Sequence, residues 1–168
     1  MENLDVMVLR SLRDWRIQGH RALLATVVRT WGSSPRPVGS IMALCDNGSV
    51  VGSVSGGCIE DDLIYRFTQA YAQKGLPAAE SAQIPSGPPQ SIKYVLSADE
   101  AHRFGLPCGG TLELLLEFDP DAQLLQNLVQ ALERGQLMQR TTILATGQVH
   151  IESSALPSDL HLDGEKLI

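Results

Sequence analysis

The sequence predicts a mixed α/β fold, in which a single domain combines one mixed sheet of about six strands with about three helices. The length of 168 residues is that of one domain, and 43% apolar against 19% charged residues is typical of a chain that buries a core. Segments with the period of a strand occur between segments with the period of a helix. We assign the domain to residues 1–146 and treat residues 147–168 as a polar C-terminal tail without a clear period.

The first half of the chain contains a helix, a strand, a hairpin and a second helix. Apolar residues at helical spacing predict a helix over residues 4–16, which Gly19 ends. The apolar run 22–28 predicts a strand that is buried on both faces. Residues 41–54 contain two short strands around an Asn-Gly pair, which tolerates the positive φ angles of a tight primed turn. Helical spacing resumes over residues 59–73.

The second half repeats this mixture after a loop. Residues 75–90 contain too many Gly and Pro residues for a regular element, and residues 97–110 predict a second irregular connection. Asp119-Pro120 is expected to cap and open a helix with Leu at helical spacing. Strands are predicted at residues 91–96, 111–118 and near 141–146.

The charge balance and the hydropathy pattern exclude two classes of partner. Thirteen Lys and Arg against 19 Asp and Glu give a net charge of −6, so no nucleic-acid partner is expected. No run of about 18 apolar residues occurs, so no membrane association is expected either. The acidic N-terminus lacks the apolar segment of a signal peptide, and we expect a cytoplasmic protein whose three cysteines are thiols rather than disulfides.

The strongest functional signal is a glycine turn between a strand and a helix. Residues 52–60 read GSVSGGCIE. Such a turn lets backbone amides approach an anion, and the helix adds unpaired donors and the positive end of its dipole. That field would stabilise a thiolate at Cys58, while Glu60 would cap the helix or bond a polar ligand group. The alternative is structural: Gly56 and Gly57 permit a sharp turn, and Cys58 packs as a small buried side chain.

Two further segments predict the same pocket. Residues 105–110 read GLPCGG and place a second thiol, Cys108, beside two glycines, so we expect the two thiols to share one pocket. Residues 32–39 read GSSPRPVG, a turn in which two prolines fix the backbone around Arg36. The planar guanidinium would bind a phosphate or a carboxylate. The alternative is a surface loop with a solvated Arg36.

Other residues that could carry chemistry are better explained by packing or exposure. Cys45 lies within a predicted strand, and we expect it in the core. Trp31 could stack on a flat ligand, although a tryptophan that ends a strand more often packs or lies at a rim. The histidines share no ligand spacing and no triad motif, and His102 is only a weak candidate for acting on a thiol. We treat the others as surface residues: His20, His150 and His161.

Together, these segments resemble the xanthine dehydrogenase accessory factor family, known as XdhC/CoxI. The matching residues are 26–39, 52–60 and 105–110, which occur in the order of the family, and the likeness covers about residues 5–145. Many members of the family continue into a Rossmann-like domain, but no Gly-x-Gly-x-x-Gly motif follows Thr146. We therefore expect the short form of the family, which leaves open whether a separate chain takes part in sulfuration.

The resemblance implies a carrier of the molybdenum cofactor, as molybdopterin or its dinucleotide form, that is not an enzyme in the strict sense. It implies a chaperone that supports exchange of a molybdenum oxo ligand for sulfur with a cysteine desulfurase. The recipient would be the apo-enzyme of a molybdenum hydroxylase, such as xanthine dehydrogenase, aldehyde oxidoreductase or carbon monoxide dehydrogenase. The small size of the domain relative to this cargo suggests a homodimer.

The resemblance also assigns site residues. Cys58 and Cys108 would contact molybdenum or sulfur, because thiolates are soft ligands. The full set of expected cofactor-binding residues is Ser33, Ser34, Arg36, Ser55, Gly56, Gly57, Cys58, Glu60, Cys108, Gly109 and Gly110.

Two other functions stay open at this point. The first is a thiol-dependent sulfur or acyl transferase that uses Cys58 as the nucleophile and backbone amides as an oxyanion site. The second is a non-catalytic docking subunit of a larger oxidoreductase, in which the glycines only form turns.

Overall fold

The structure is a computed structural model that describes residues 4–32, 36–55, 58–73, 75, 82–96, 110–154 and 166–167. Its helices are α1 (Leu4–Ile17), α2 (Cys58–Phe67), α3 (Ala70–Gln73) and α4 (Ala122–Glu133). Its strands are β1 (Ala22–Gly32), β2 (Ile41–Cys45), β3 (Val50–Gly52), β4 (Gln90–Leu96), β5 (Gly110–Phe118), β6 (Met138–Ile143), β7 (Val149–Ser153) and β8 (Lys166–Leu167).

The described strands form two sheets. Five strands have the order β3-β2-β1-β5-β4, and three have the order β7-β6-β8. The mixed α/β class is confirmed. Where the sequence predicted one mixed sheet, every neighbouring pair of described strands is antiparallel. For the pairs β2–β3 and β6–β7 the physical reason is the length of the connection, because the turns at residues 46–49 and 144–148 are too short for a parallel crossover.

One face of the five-stranded sheet packs against α2. Ile59 and Leu63 of α2 lie in a buried cluster with the sheet residues Leu23, Met42 and Leu114. Apolar residues four apart place these two α2 side chains on the same face of the helix, towards the sheet. This packing positions the N-terminus of α2 over the end of β3.

The other face of the sheet packs against α1 and α4. Val8 and Leu12 of α1 meet Leu125 and Val129 of α4, and Leu24 of β1 completes the cluster. Residues 22–28 of β1 are buried throughout, which confirms the prediction of a strand that is buried on both faces.

The predicted helix over residues 59–73 is two helices. The hydroxyl of Thr68 donates to the carbonyl of Ile64 at 2.8 Å and accepts from the amide of Ala70 at 3.3 Å. Thr68 therefore ends α2 and starts α3, a side-chain bond to the backbone that apolar periodicity does not reveal.

The cap of α4 also differs from the prediction. Asp121, not Asp119-Pro120, is the N-cap, and its carboxylate accepts from the amide of Leu124 at 2.9 Å. Asp119 has φ 46° and directs its carboxylate to Arg21 at 2.8 Å. Asp119 thus pairs with Arg21, which lies 98 residues earlier in the chain. This ion pair outweighs the local preference of Asp119 for capping a helix.

The predicted hairpin over residues 41–54 is confirmed, but its turn is of another type. Gly48 has φ 92°, whereas Asn47 is not among the described residues with positive φ. The amide of Gly48 bonds to the carbonyl of Cys45 at 2.9 Å, and the Asn47 side chain accepts from the amide of Ser49. The turn therefore needs a single left-handed residue, Gly48, instead of the two that a type I′ turn needs.

Two predicted segments near the C-terminus have more structure than the sequence indicates. The last predicted strand, near 141–146, is β6, and residues 144–146 form a turn. β7 and β8 fall within residues 147–168 and pair with β6.

Of the irregular connection predicted at 97–110, only Gly110 lies within the described residues, and it begins β5.

None of the described helices combines the length and the apolar character needed to cross a membrane.

Candidate functional site

Two strands of the five-stranded sheet, β1 and β4, finish at the same end, and β5 begins there. The antiparallel pairings make β1, β3 and β4 run in one direction and β5 in the other. Gly32, the last residue of β1, pairs with Gly110, the first residue of β5, and Gly110 pairs with Leu96 at the end of β4. β3 runs towards the same end but stops short of it, because Gly52 pairs with Met42, which pairs with Ala25, seven residues before Gly32. The first and third sequence motifs adjoin this end, which we call the motif end of the sheet, and the second motif follows β3 as it runs towards that end.

Only part of the predicted site falls within the described residues. Ser33, Ser34, Gly56, Gly57, Cys108 and Gly109 lie outside them, as does the side chain of Cys58, although the Cys58 backbone begins α2. The approach of the two thiols to each other therefore stays a prediction. The described members of the predicted site are Arg36, Ser55, Glu60 and Gly110.

Glu60 is buried in the first turn of α2 and binds the end of β3. Its Oε1 accepts from the amides of Val54 at 2.7 Å and Ser55 at 2.9 Å and from the hydroxyl of Ser53 at 3.0 Å. Its Oε2 accepts from the Ser55 hydroxyl at 2.5 Å. The Ser55 hydroxyl oxygen in turn accepts from the amide of Ile59 at 3.1 Å.

This arrangement holds Glu60 in its charged form. Burial raises its pKa, but the hydrogen bonds from the hydroxyl and amide of Ser55 and the amide of Val54 outweigh burial and lower the pKa to about 2. Only 7% of Glu60 is exposed, so these protein donors replace the water that a carboxylate would otherwise bind. The amides of Val54, Ser55 and Ile59 consequently each have a partner within the protein.

Arg36 is exposed, and the residues that follow it are bound to β1. The amide of Gly39 donates to the carbonyl of Val27 at 2.8 Å, and the amide of Val27 donates to the carbonyl of Ser40 at 2.9 Å. The amide of Ser40 also donates to the carbonyl of Pro37 at 3.1 Å. These bonds fix the return of the chain to the sheet directly after Arg36.

Sequence reasoning considered Trp31 as a stacking residue but missed the charged side chains beside it at the motif end. Trp31 is 44% exposed, and the ammonium of Lys93 lies 4.8 Å from the centroid of its ring. The guanidinium of Arg29 lies 3.6 Å from Glu113, which pairs with Lys93 across β5 and β4. The signal was present in the period-two alternation, which places Arg29 and Trp31 on one face of β1. We call Arg29, Trp31, Lys93 and Glu113 the Trp31 face.

The structure confirms the core position of Cys45, which is fully buried. His20, expected at the surface, is 39% exposed and has its Nδ1 2.8 Å from Oδ1 of Asp46. The cause is the pairing of β1 with β2, which brings residues 26 positions apart together. His150 is exposed as expected, and His102 and His161 lie outside the described residues.

A cleft of about 420 Å³ lies at the opposite end of the sheet, between the two sheets. The guanidinium of Arg140 reaches both oxygens of Glu117 at 3.0 Å, and the hydroxyl of Thr142 donates to Glu117 at 2.6 Å. None of the predicted site residues is among the described residues that line it. The cleft is therefore separate from the motif end.

Comparison with known proteins identifies the family. Residues 15–78, which contain the first two motifs, match the model of the XdhC and CoxI family. The molybdenum cofactor insertion chaperone PaoD of Escherichia coli (strain K12) is 31% identical over 127 residues, which are 76% of this chain and 36% of PaoD. A probable xanthine dehydrogenase component of Bacillus subtilis (strain 168) is 40% identical over 68 residues, which are 40% of this chain and 19% of that protein.

A solved structure agrees with these relatives. The crystal structure of a xanthine dehydrogenase from Bacillus halodurans aligns with a TM-score of 0.63 and 25% identity over 96% of this chain and 46% of the other. The chain thus spans less than half the length of each of these three proteins. The family match, the relatives and the order of the motifs lead to one conclusion: the chain belongs to the XdhC and CoxI family.

Proposed function

We propose that this chain binds the molybdenum cofactor at the motif end of the sheet and delivers it to the apo-enzyme of a molybdenum hydroxylase. The observation that carries the proposal is that β1 and β5 join the first and third motifs at this end, while β3 runs in the direction of that end into the second motif. Membership of the family, and the relative named as a molybdenum cofactor insertion chaperone, support the choice of cargo.

The described side chains at the motif end suit a flat and anionic cargo. The pterin of the cofactor is planar and carries a phosphate. Trp31 offers an exposed aromatic surface, and Arg29, Arg36 and Lys93 bring positive charge to a protein whose net charge is −6. Thiolates of Cys58 and Cys108 would add soft ligands for molybdenum or sulfur.

Within this proposal, Ser55 and Glu60 position the glycine turn instead of holding the cargo. The amides of Val54, Ser55 and Ile59 already bond to Glu60 or Ser55. We therefore assign phosphate binding at this turn to the backbone of residues 56–58 at the N-terminus of α2. Ser33, Ser34, Arg36, Gly109 and Gly110 complete the proposed pocket from the other two motifs.

The finer parts of the proposal concern sulfur and partners. Cys58 and Cys108 would face the metal while a cysteine desulfurase supplies the sulfur that replaces an oxo ligand. The chain would act in the cytoplasm as a carrier and not as an enzyme. Two copies of the chain would together enclose the cargo.

The test is to produce the chain in cells that make the cofactor and to measure molybdenum and oxidised-pterin fluorescence in the purified protein. We expect Arg36→Ala to reduce retained pterin roughly 10-fold or more, because hydrogen bonds to charged groups contribute about 1.5–3 kcal/mol. The matched control is Arg134→Ala, which removes an exposed arginine beyond the end of α4. The double variant Cys58→Ala/Cys108→Ala should lose molybdenum.

Three outcomes would contradict the proposal. Equally low molybdenum in the wild type and in the double variant would exclude a carrier. A persulfide or acyl adduct on Cys58 during turnover, without any pterin, would favour a transferase. Co-purification of a target oxidoreductase that survives loss of both thiols and of Arg36, with no pterin bound, would favour a docking role.

A further inference from the structure

The end of the sheet that lies opposite the motif end carries a second cluster of groups that can bind a metal. His20, Cys45 and Asp46 each offer one donor atom, and these atoms all lie within 4.8 Å of one another. Cys45 pairs with Ala22 at the start of β1, ten residues from Gly32 at the motif end. At about 3.3 Å per residue, roughly 30 Å of strand separates the two places. Gly52, at the start of the second motif, pairs with Met42, three residues before Cys45, but β3 runs away from the cluster into that motif. The cluster therefore lies at the opposite end of β3 from the proposed cofactor site.

The pairing of β1 with β2 builds this cluster. Cys45 is the last residue of β2, and Asp46 follows it in the turn of the hairpin. The Asp46 amide donates to the carbonyl of Arg21 at 3.0 Å, and the Arg21 amide donates to Oδ2 of Asp46 at 3.1 Å. His20 precedes Arg21, so its imidazole meets the side chains that follow β2. Cys45 is thus held within β2, while His20 and Asp46 lie on the two connections that the bonds between Arg21 and Asp46 hold together.

The contacts within the cluster centre on a single oxygen. Oδ1 of Asp46 lies 2.8 Å from Nδ1 of His20 and accepts from the thiol of Cys45 at 3.5 Å. All three donor groups therefore meet at this one oxygen.

The two nearby guanidinium groups bind Asp119. That of Arg21 lies 2.8 Å from Asp119, and that of Arg16 lies 3.6 Å from the same carboxylate. The side chains that contact the Asp46 carboxylate are those of His20 and Cys45. The side chains of His20 and Asp46 are each 39% exposed, so an ion can enter from solvent without unfolding the hairpin.

We propose that His20, Cys45 and Asp46 form a binding site for Zn²⁺ or a similar divalent transition-metal ion. The ligands would be one thiolate, one imidazole nitrogen and one carboxylate oxygen, with water in the fourth position. Binding releases the thiol proton of Cys45 to solvent and requires His20 to carry its proton on Nε2, so that the Nδ1 lone pair faces the ion. A set that includes thiolate and imidazole disfavours Mg²⁺ and Ca²⁺, which prefer oxygen ligands.

The experiment uses the variant Cys58→Ala/Cys108→Ala, in which Cys45 is the sole remaining cysteine of three. Calorimetry with Zn²⁺ and absorption with Co²⁺ as probes should give one ion per chain, with a thiolate-to-cobalt charge-transfer band. We expect His20→Gln and Asp46→Asn to weaken Zn²⁺ binding at least 10-fold. The matched control is His150→Gln, which changes an exposed histidine of β7 and should leave binding unchanged.

The proposal fails if this variant shows no saturable Zn²⁺ binding, or if His20→Gln binds Zn²⁺ as tightly as His150→Gln does. Loss of the charge-transfer band in Cys45→Ser would identify the sulfur ligand. Should that buried substitution prevent folding, His20→Gln decides alone, since circular dichroism can show that a change at a partly exposed side chain leaves the fold intact. The result is independent of whether the chain binds a molybdenum cofactor.

Discussion

Glu60 accepts hydrogen bonds from both the hydroxyl and the backbone amide of Ser55. With the amide of Val54 and the hydroxyl of Ser53, these bonds tie the first turn of α2 to the end of β3. The residues between Ser55 and Cys58 are the two glycines of the strongest sequence motif. A buried anion, the carboxylate of Glu60, therefore holds both ends of the glycine turn.

Replacing Glu60 with Gln should destabilise the protein by about 2–4 kcal/mol. The neutral amide weakens the bonds to Val54 and Ser55, and its NH₂ group opposes one of the hydroxyl donors. Urea unfolding of the variant measures this cost. The matched control is Glu152→Gln on β7, an exposed residue whose substitution should change the free energy of unfolding by less than about 0.5 kcal/mol. Equal costs for the two variants would show that the Glu60 bonds contribute nothing.

The contribution of Glu60 should disappear in acid. Its pKa is about 2 in the folded protein and about 4.3 in an unfolded chain, so between these values the unfolded state binds more protons. The stabilisation is present above about pH 4.3 and is lost as the pH falls towards 2, with a total of order 3 kcal/mol. The difference in unfolding free energy between wild type and Glu60→Gln should shrink from pH 6 to pH 3. A difference that does not depend on pH would contradict the low pKa.

Gly52 should not tolerate a side chain. It has φ 86°, and an added Cβ would lie 2.5 Å from the carbonyl oxygen of Ile41 and 2.7 Å from a methyl group of Val8. We expect Gly52→Ala to cost about 3 kcal/mol or more. Gly135→Ala is the matched control, because Gly135 has φ 79° with open space around it and should cost only about 1–2 kcal/mol. Similar unfolding midpoints for the two variants would rule out the predicted clash.

Binding of a pterin at the motif end should quench the fluorescence of Trp31. The chain has two tryptophans, and Trp15 packs with the cluster between α1 and α4 at a distance from this end. A pterin titration should therefore quench the fluorescence of the Trp15→Phe variant, which retains Trp31, as strongly as it quenches the Trp31 fluorescence of the wild type. The fluorescence of the Trp31→Phe variant should not be quenched. Quenching that follows Trp15 instead would place the ligand elsewhere.

Much of the fold could be predicted because its signals are local. The alternation of Leu112, Leu114 and Leu116 with Glu113 and Glu117 identifies β5, and the apolar run before Arg29 identifies β1. β7 was missed because Val149 and Ile151 are too few to establish a period. The break between α2 and α3 depends on a single hydroxyl of Thr68.

The candidate site was harder to predict because its contacts depend on pairing between strands. The three motifs could be recognised from residue order, but the common position of the first and third follows from the pairing of Gly32 with Gly110. Likewise, nothing in the spacing of His20 and Asp46 indicates that they touch. The role of Glu60 as a buried anchor was one of two open interpretations, and its hydrogen bonds favour the structural one.

The convergence of Cys58 and Cys108 is tested most directly with dibromobimane, which becomes fluorescent when it bridges two nearby thiols. In the cofactor-free chain, peptide mapping should find a bridge between Cys58 and Cys108, and loading with the molybdenum cofactor should prevent it. Separate modification of the two thiols with no bridge, or bridging that the cofactor does not affect, would contradict a shared cofactor pocket.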